Sequence, residues 1–176
     1  MARKRNRRQH KVKQSTLLIV GEGAHERAFL DHMKQLYDSR ENQQRLTVKA
    51  ADGGSPADIL RIVRKRYRHA EFDRRVVLLD DDVPITPADE REARRLGIVL
   101  LVSRPVCLEG MLLEVLGQKA PNTAKQCKDR LHPQLSGLPT EKASYAELFA
   151  GPVLDSTTKE VVVELRKLMQ NRPNGN

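Results

Sequence analysis

Two unbroken apolar runs, each closed by acidic residues, limit what this chain can fold into. Leu17-Leu18-Ile19-Val20 runs into Gly21-Glu22-Gly23, and Val76-Val77-Leu78-Leu79 runs into Asp80-Asp81-Asp82. A strand with one wet face alternates apolar and polar residues, whereas a strand covered on both faces does not. Both runs therefore read as buried parallel strands. Leu46 to Ala50 and Ile98 to Val102 add two further strand candidates.

Helical patterns fall between them. Phe29, Met33, Leu36 and Tyr37 recur at helical spacing and predict a helix over 24–37. Ser55-Pro56 opens a second, with Ser as N-cap, Pro at the first helical position, and Ile59, Leu60, Ile62, Val63 and Tyr67 inward. Thr86-Pro87-Ala88-Asp89 opens a third, which ends near Leu96-Gly97. Residues 107–116 read as a fourth, and 118–140 as loop-rich. A short helix is expected over 141–150 and a last one from Thr157 to Met169, with Thr157 and Glu160 at capping-box spacing. Strands alternating with helices define an α/β fold with a parallel sheet flanked by helices and a helical C-terminal extension. The expected layout is a basic arm over 1–13, a main domain over 14–116, an extension over 117–170 packed on it, and a frayed tail over 171–176.

Charge sharpens this layout. The formal net charge is +9 over 176 residues, and the first thirteen carry seven lysines and arginines with no acid. The rest nets about +2 by subtraction. Arg5, Arg7, Arg8 and their neighbours read as a flexible arm expected to contact nucleic acid nonspecifically, with a solubilising tail as the alternative. Aromatic residues make up 3% and Trp is absent, which argues against base-stacking platforms. Cys107 and Cys127 lack CxxC spacing and a Cys/His cluster, so neither a zinc site nor a disulfide is expected. Without an apolar signal core or a membrane-length run, the expected compartment is the cytoplasm.

The acids acquire meaning from position. Glu22 follows the carboxyl end of one buried strand, and Asp80 and Asp82 follow that of another. Open parallel sheets bind ligands outside those ends. Crowded carboxylates repel, and a divalent cation relieves the repulsion. Oxygen ligands without Cys or His favour Mg2+ or Mn2+. On extended chain, residues i and i+2 project to one side, so Asp80 and Asp82 can share an ion. Taken alone, Asp80-Asp81-Asp82 reads equally well as a solvated turn or a helix cap.

These stretches resemble a known family. Leu18 to Leu30, with its apolar strand ending in Glu22-Gly23 before a helix, resembles the first motif of Toprim domains. Val76 to Asp82 resembles the second, a strand ending in Asp-x-Asp. Ser103-Arg104-Pro105 with Cys107 to Leu113 resembles a stretch of the RloB-like nucleases, and the four-residue step from Glu22 to Glu26 resembles OLD-like ones. The likeness covers roughly residues 16–116. It implies a Rossmannoid Toprim fold and a metal-dependent endonuclease acting on DNA or RNA. Glu22 would be the general acid/base, Asp80 and Asp82 metal ligands, and Asp81 would face away. Glu26 and Glu109 would be further ligands. It also implies a role in bacterial anti-phage defence beside an AAA/ABC-type ATPase.

Glu26 and Glu109 both fit helix N-terminal acids. His25 reads as an exposed helix residue more readily than as a catalyst. Arg61, Arg64, Lys65 and Arg68 read either as a solvated helix face or as a guide for a phosphate backbone. Arg91, Arg94 and Arg95 fit ordinary pairing on the helix surface with Asp89, Glu90 and Glu92. The rival to an enzyme is a non-catalytic nucleic-acid-binding module working with the ATPase.

Overall fold

A computed structural model describes residues 14–172. The arm residues Arg5, Arg7 and Arg8 lie outside that range. Four strands form one all-parallel sheet: β1 (Ser15–Gly21), β2 (Gln44–Ala50), β3 (Arg74–Asp80) and β4 (Ile98–Ser103), in spatial order β2-β1-β3-β4. Helices α1 (Ala24–Tyr37), α2 (Pro56–Arg66) and α3 (Pro87–Leu96) connect them. After β4 come α4 (Leu108–Val115), α5 (Ala124–Leu131), α6 (Gly151–Ser156) and α7 (Glu160–Met169).

The apolar runs divide by parity. Leu17 and Ile19 of β1, with Val76 and Leu78 of β3, enter a core shared with α1, α4, α5 and α7. Leu18 and Val20, with Val77 and Leu79, enter a smaller core with Ile59, Leu60 and Val63 of α2 and Ala93 of α3. Successive residues on a strand point to opposite faces, so covering both faces requires the unbroken pattern. Ser55 and Thr86 cap α2 and α3 through their hydroxyls, each with a reciprocal aspartate three residues on. Such a cap stabilises a helix by about 1 kcal/mol.

The C-terminal third departs from expectation at four places. Residues 118–140 contain α5, which rests on only two fully buried side chains, Cys127 and Leu131. One i, i+4 pair is too narrow a stripe to stand out. The turn at 142–145 is a 3-10 helix, and α6 begins only at Gly151. The last helix starts at Glu160 behind Lys159, because the Thr157 hydroxyl accepts from Lys159 N at 3.3 Å and holds an extended turn. Asn171 is anchored, not frayed: it donates to Asn42 O and accepts from Arg74. Residues 173–176 lie outside the described range. The whole segment after α4 is part of the larger core, through Tyr145, Phe149, Leu154, Val162, Leu165 and Met169.

Candidate metal centre

The chain leaves β1 toward β2 on one side, and β3 lies on the other side of β1. Their boundary is where the connections diverge, and the crevice beyond the strand ends is the usual ligand position in such sheets. Gly21 pairs with Leu78 across it, and Glu22 N donates to Leu78 O at 3.1 Å. Glu22 and Asp80 are thus brought to the same rim by strand register alone. Gly21 must be glycine: a Cβ there would sit 2.6 Å from Glu26 Cβ, where α1 starts against the strand.

Glu22, Asp80 and Asp82 offer carboxylate oxygens that all lie within 4.8 Å of one another, an arrangement able to hold a metal ion. Asp80 is buried, Glu22 half-buried and Asp82 exposed. β3 ends at Asp80 and the chain bends over residues 81–83, so the bend brings Asp82 to the group, not two-residue alternation on a strand. Asp81 turns aside to Arg104, with Oδ1 3.2 Å from Nε.

Main-chain donors fix these carboxylates. Glu22 Oε2 accepts from Asp80 N at 3.2 Å, and Asp80 Oδ1 accepts from Leu108 N at 2.8 Å, at the start of α4. A helix N-terminus favours an anion. The bend Arg104–Cys107 delivers α4 to that place, and Gly110 allows it, since a Cβ would lie 2.3 Å from Pro105 O. Burial pushes the Asp80 carboxyl up to about 8, the neighbouring Glu26 adds to this, the Leu108 N–H opposes it, and Glu22 and Glu109 raise it further. Burial also raises Glu22, against the Asp80 N–H and with help from Glu26 and Asp82. An added cation would remove the conflict that these shifts record.

Glu26 and Glu109 belong elsewhere. Glu26 is buried, and its Oε2 accepts from Gly23 N at 2.8 Å, so it caps its own helix. Burial raises its carboxyl. Glu109 is 1% exposed and joins a second group. Its Oε1 lies 2.9 Å from His25 Nδ1 and 2.9 Å from His132 Nε2, and the two rings meet edge to face at 4.8 Å between centroids. These three residues form the other group able to hold an ion among the described residues. Burial would raise Glu109, but the bonds from His25 and His132 prevail and hold it down to about 2.

Sequence reading missed His132 and Lys128. Both come from the stretch read as loop. Lys128, half-buried on α5, interacts electrostatically with Glu22, Glu109, Asp80 and Glu26, and their charges outweigh burial to raise its ammonium. A correct α5 would have put Lys128 and His132, four residues apart, on one side of a helix end.

The basic run on α2 is exposed, as Arg61, Arg64, Lys65 and Arg66 show. Arg61 is paired with Asp58 at 2.7 Å. Arg68 lies beyond the end of α2, so the helical face expected to join it to Arg64 is broken. Tyr67 O accepts from Arg75 near the start of β3, so α2 runs away from the acidic rim. Arg94 and Arg95 pair with Glu90 and Glu92 on α3.

No family model, curated protein or solved structure matches this chain. Fold and site therefore define its class: a Rossmannoid α/β protein with a four-stranded parallel sheet and a carboxylate group, able to hold a metal ion, at the rim where its connections diverge. No helix among the described residues is long and apolar enough to cross a membrane.

Proposed function

We propose that this protein is a Toprim-type nuclease that hydrolyses phosphodiester bonds in DNA or RNA with Mg2+ or Mn2+. The observation that carries the reading is the convergence of Glu22, Asp80 and Asp82 from two separate strand ends. Asp80 and Asp82 would hold the ion, with Glu22 beside them. All-oxygen donors fit a hard cation. Bound there, the ion would polarise a phosphoryl oxygen and favour attack by water. Glu22 is held by the Asp80 N–H, and burial raises its carboxyl above the usual carboxylate range, the direction that favours a group able to give and take a proton. Lys128 supplies positive charge beside the acids. A role in anti-phage defence beside an AAA/ABC-type ATPase follows from the RloB-like resemblance alone.

One observation favours the rival binding module. Asp80 already serves α4 through the Leu108 N–H, a structural task that requires no metal. Cleavage assays on supercoiled DNA and single-stranded RNA with Mn2+ separate the two readings. We expect cleavage by the wild type and its loss in Glu22→Gln and Asp80→Asn. Asparagine can still accept from Leu108 N, so the second variant should fold. Cleavage untouched by both changes would reject the assignment.

A further inference from the structure

We propose that His25, Glu109 and His132 form a second metal site, selective for a transition-metal ion of the zinc type and distinct from the carboxylate group at the strand ends. Three observations carry it. The ligand atoms come from α1, the first turn of α4 and the residue after α5, and all lie within 4.8 Å of one another. Glu109 is 1% exposed, and its second oxygen, Oε2, is buried with no hydrogen-bond partner among the described residues. A buried carboxylate oxygen left unpaired is costly and calls for an unseen partner. His25 and His132 remain partly open, with side chains 26% and 24% exposed, so an ion has a route in.

Donor chemistry sets the ion. Imidazole nitrogens suit zinc and its neighbours better than magnesium, and two histidines with one glutamate leave a coordination position open. The same ion would tie α5, which has only two fully buried side chains, to α1 and α4. This site does not depend on the nuclease reading, because its donors and its preferred metal differ from those of the Glu22 group.

The test uses the purified full chain, stripped with chelator and titrated with Zn2+ against a chromophoric competitor. Wild type should bind one equivalent that His25→Ala and His132→Ala weaken by at least roughly tenfold, the lower end seen even for outer partners of a metal site. Asp82→Asn should leave that equivalent intact. Co2+ in place of zinc should give a visible ligand-field spectrum that the histidine variants lack. Nitrogen NMR of the imidazoles in the unaltered chain covers the case in which a variant fails to fold, since Zn2+ should shift the His25 and His132 signals. The proposal is overturned if Zn2+ leaves those signals in place, or if zinc binding follows Asp82 and ignores the histidines.

Discussion

Asp80 and Glu109 are both buried acids at one rim of the sheet, yet their carboxyls shift in opposite directions. Asp80 has one N–H partner and acidic neighbours, and its carboxyl rises to about 8. Glu109 has two imidazoles, and its carboxyl falls to about 2. Burial raises both; the neighbours decide the outcome. The Glu22 group is thus a set of charges in conflict, whereas in the Glu109 group two imidazoles meet one carboxylate oxygen and leave the other, Oε2, unpaired among the described residues. The first, all oxygen, suits a hard cation; the second, with two imidazole nitrogens, suits a zinc-type ion.

The largest expected effect tests the conflicted group. Glu22→Gln should lower cleavage by about 10²–10⁴-fold, the usual contribution of a general acid or base, while leaving the fold intact. Kinetics with Mg2+ and Mn2+ would measure it, and a loss under tenfold would remove Glu22 from the chemistry.

Metal-free stability should separate the two acids by sign. Glu109→Gln weakens the bonds to His25 and His132 in a buried setting and should destabilise by about 1–3 kcal/mol. Asp80→Asn removes a repelled charge and keeps an acceptor for Leu108 N, so it should stabilise the metal-free protein at pH 8. Thermal unfolding reads both, at roughly 2–4 °C per kcal/mol for a chain of this size. Shifts of the same sign would break the comparison.

The pH dependence follows the same division. Asp80 titrates at 3.8 when unfolded and near 8 when folded, so the folded state holds the extra proton between those values. Its effect is a stability that declines as pH rises from about 4 to 8, with a limiting slope of about 1.4 kcal/mol per unit. Glu109 goes from 4.5 unfolded to about 2 folded. Its contribution is complete above 4.5 and is lost as pH falls toward 2. Denaturant titrations across pH should show the upper decline shrink on adding Mn2+ and flatten in Asp80→Asn.

The smallest effect concerns the surface. Arg64→Ala on exposed α2 should leave stability within about 0.5 kcal/mol. If that arginine touches a phosphate, the salt dependence of nucleic-acid binding should drop by about one unit of slope. An unchanged slope would leave the α2 run as a solvated face.

Sequence alone determined the strands and the first four helices, because both leave local signatures. Leu17 to Val20 had to be covered on two faces, Ser55 and Thr86 had to cap, and Gly97 in the left-handed region had to end α3. It also placed Glu22, Asp80 and Asp82 after strand ends, which becomes convergence once β1 and β3 pair. Tertiary structure decided what no local pattern records. α5 escaped notice because two buried residues make too weak a period. With it went Lys128 and His132, whose importance rests on contacts with α1 and α4. Glu26 and Glu109 look alike in sequence, each an acid in a first helical turn. Only packing sends one to its own backbone and the other to two histidines, because a side chain's charge state and partner depend on which distant segments enclose it.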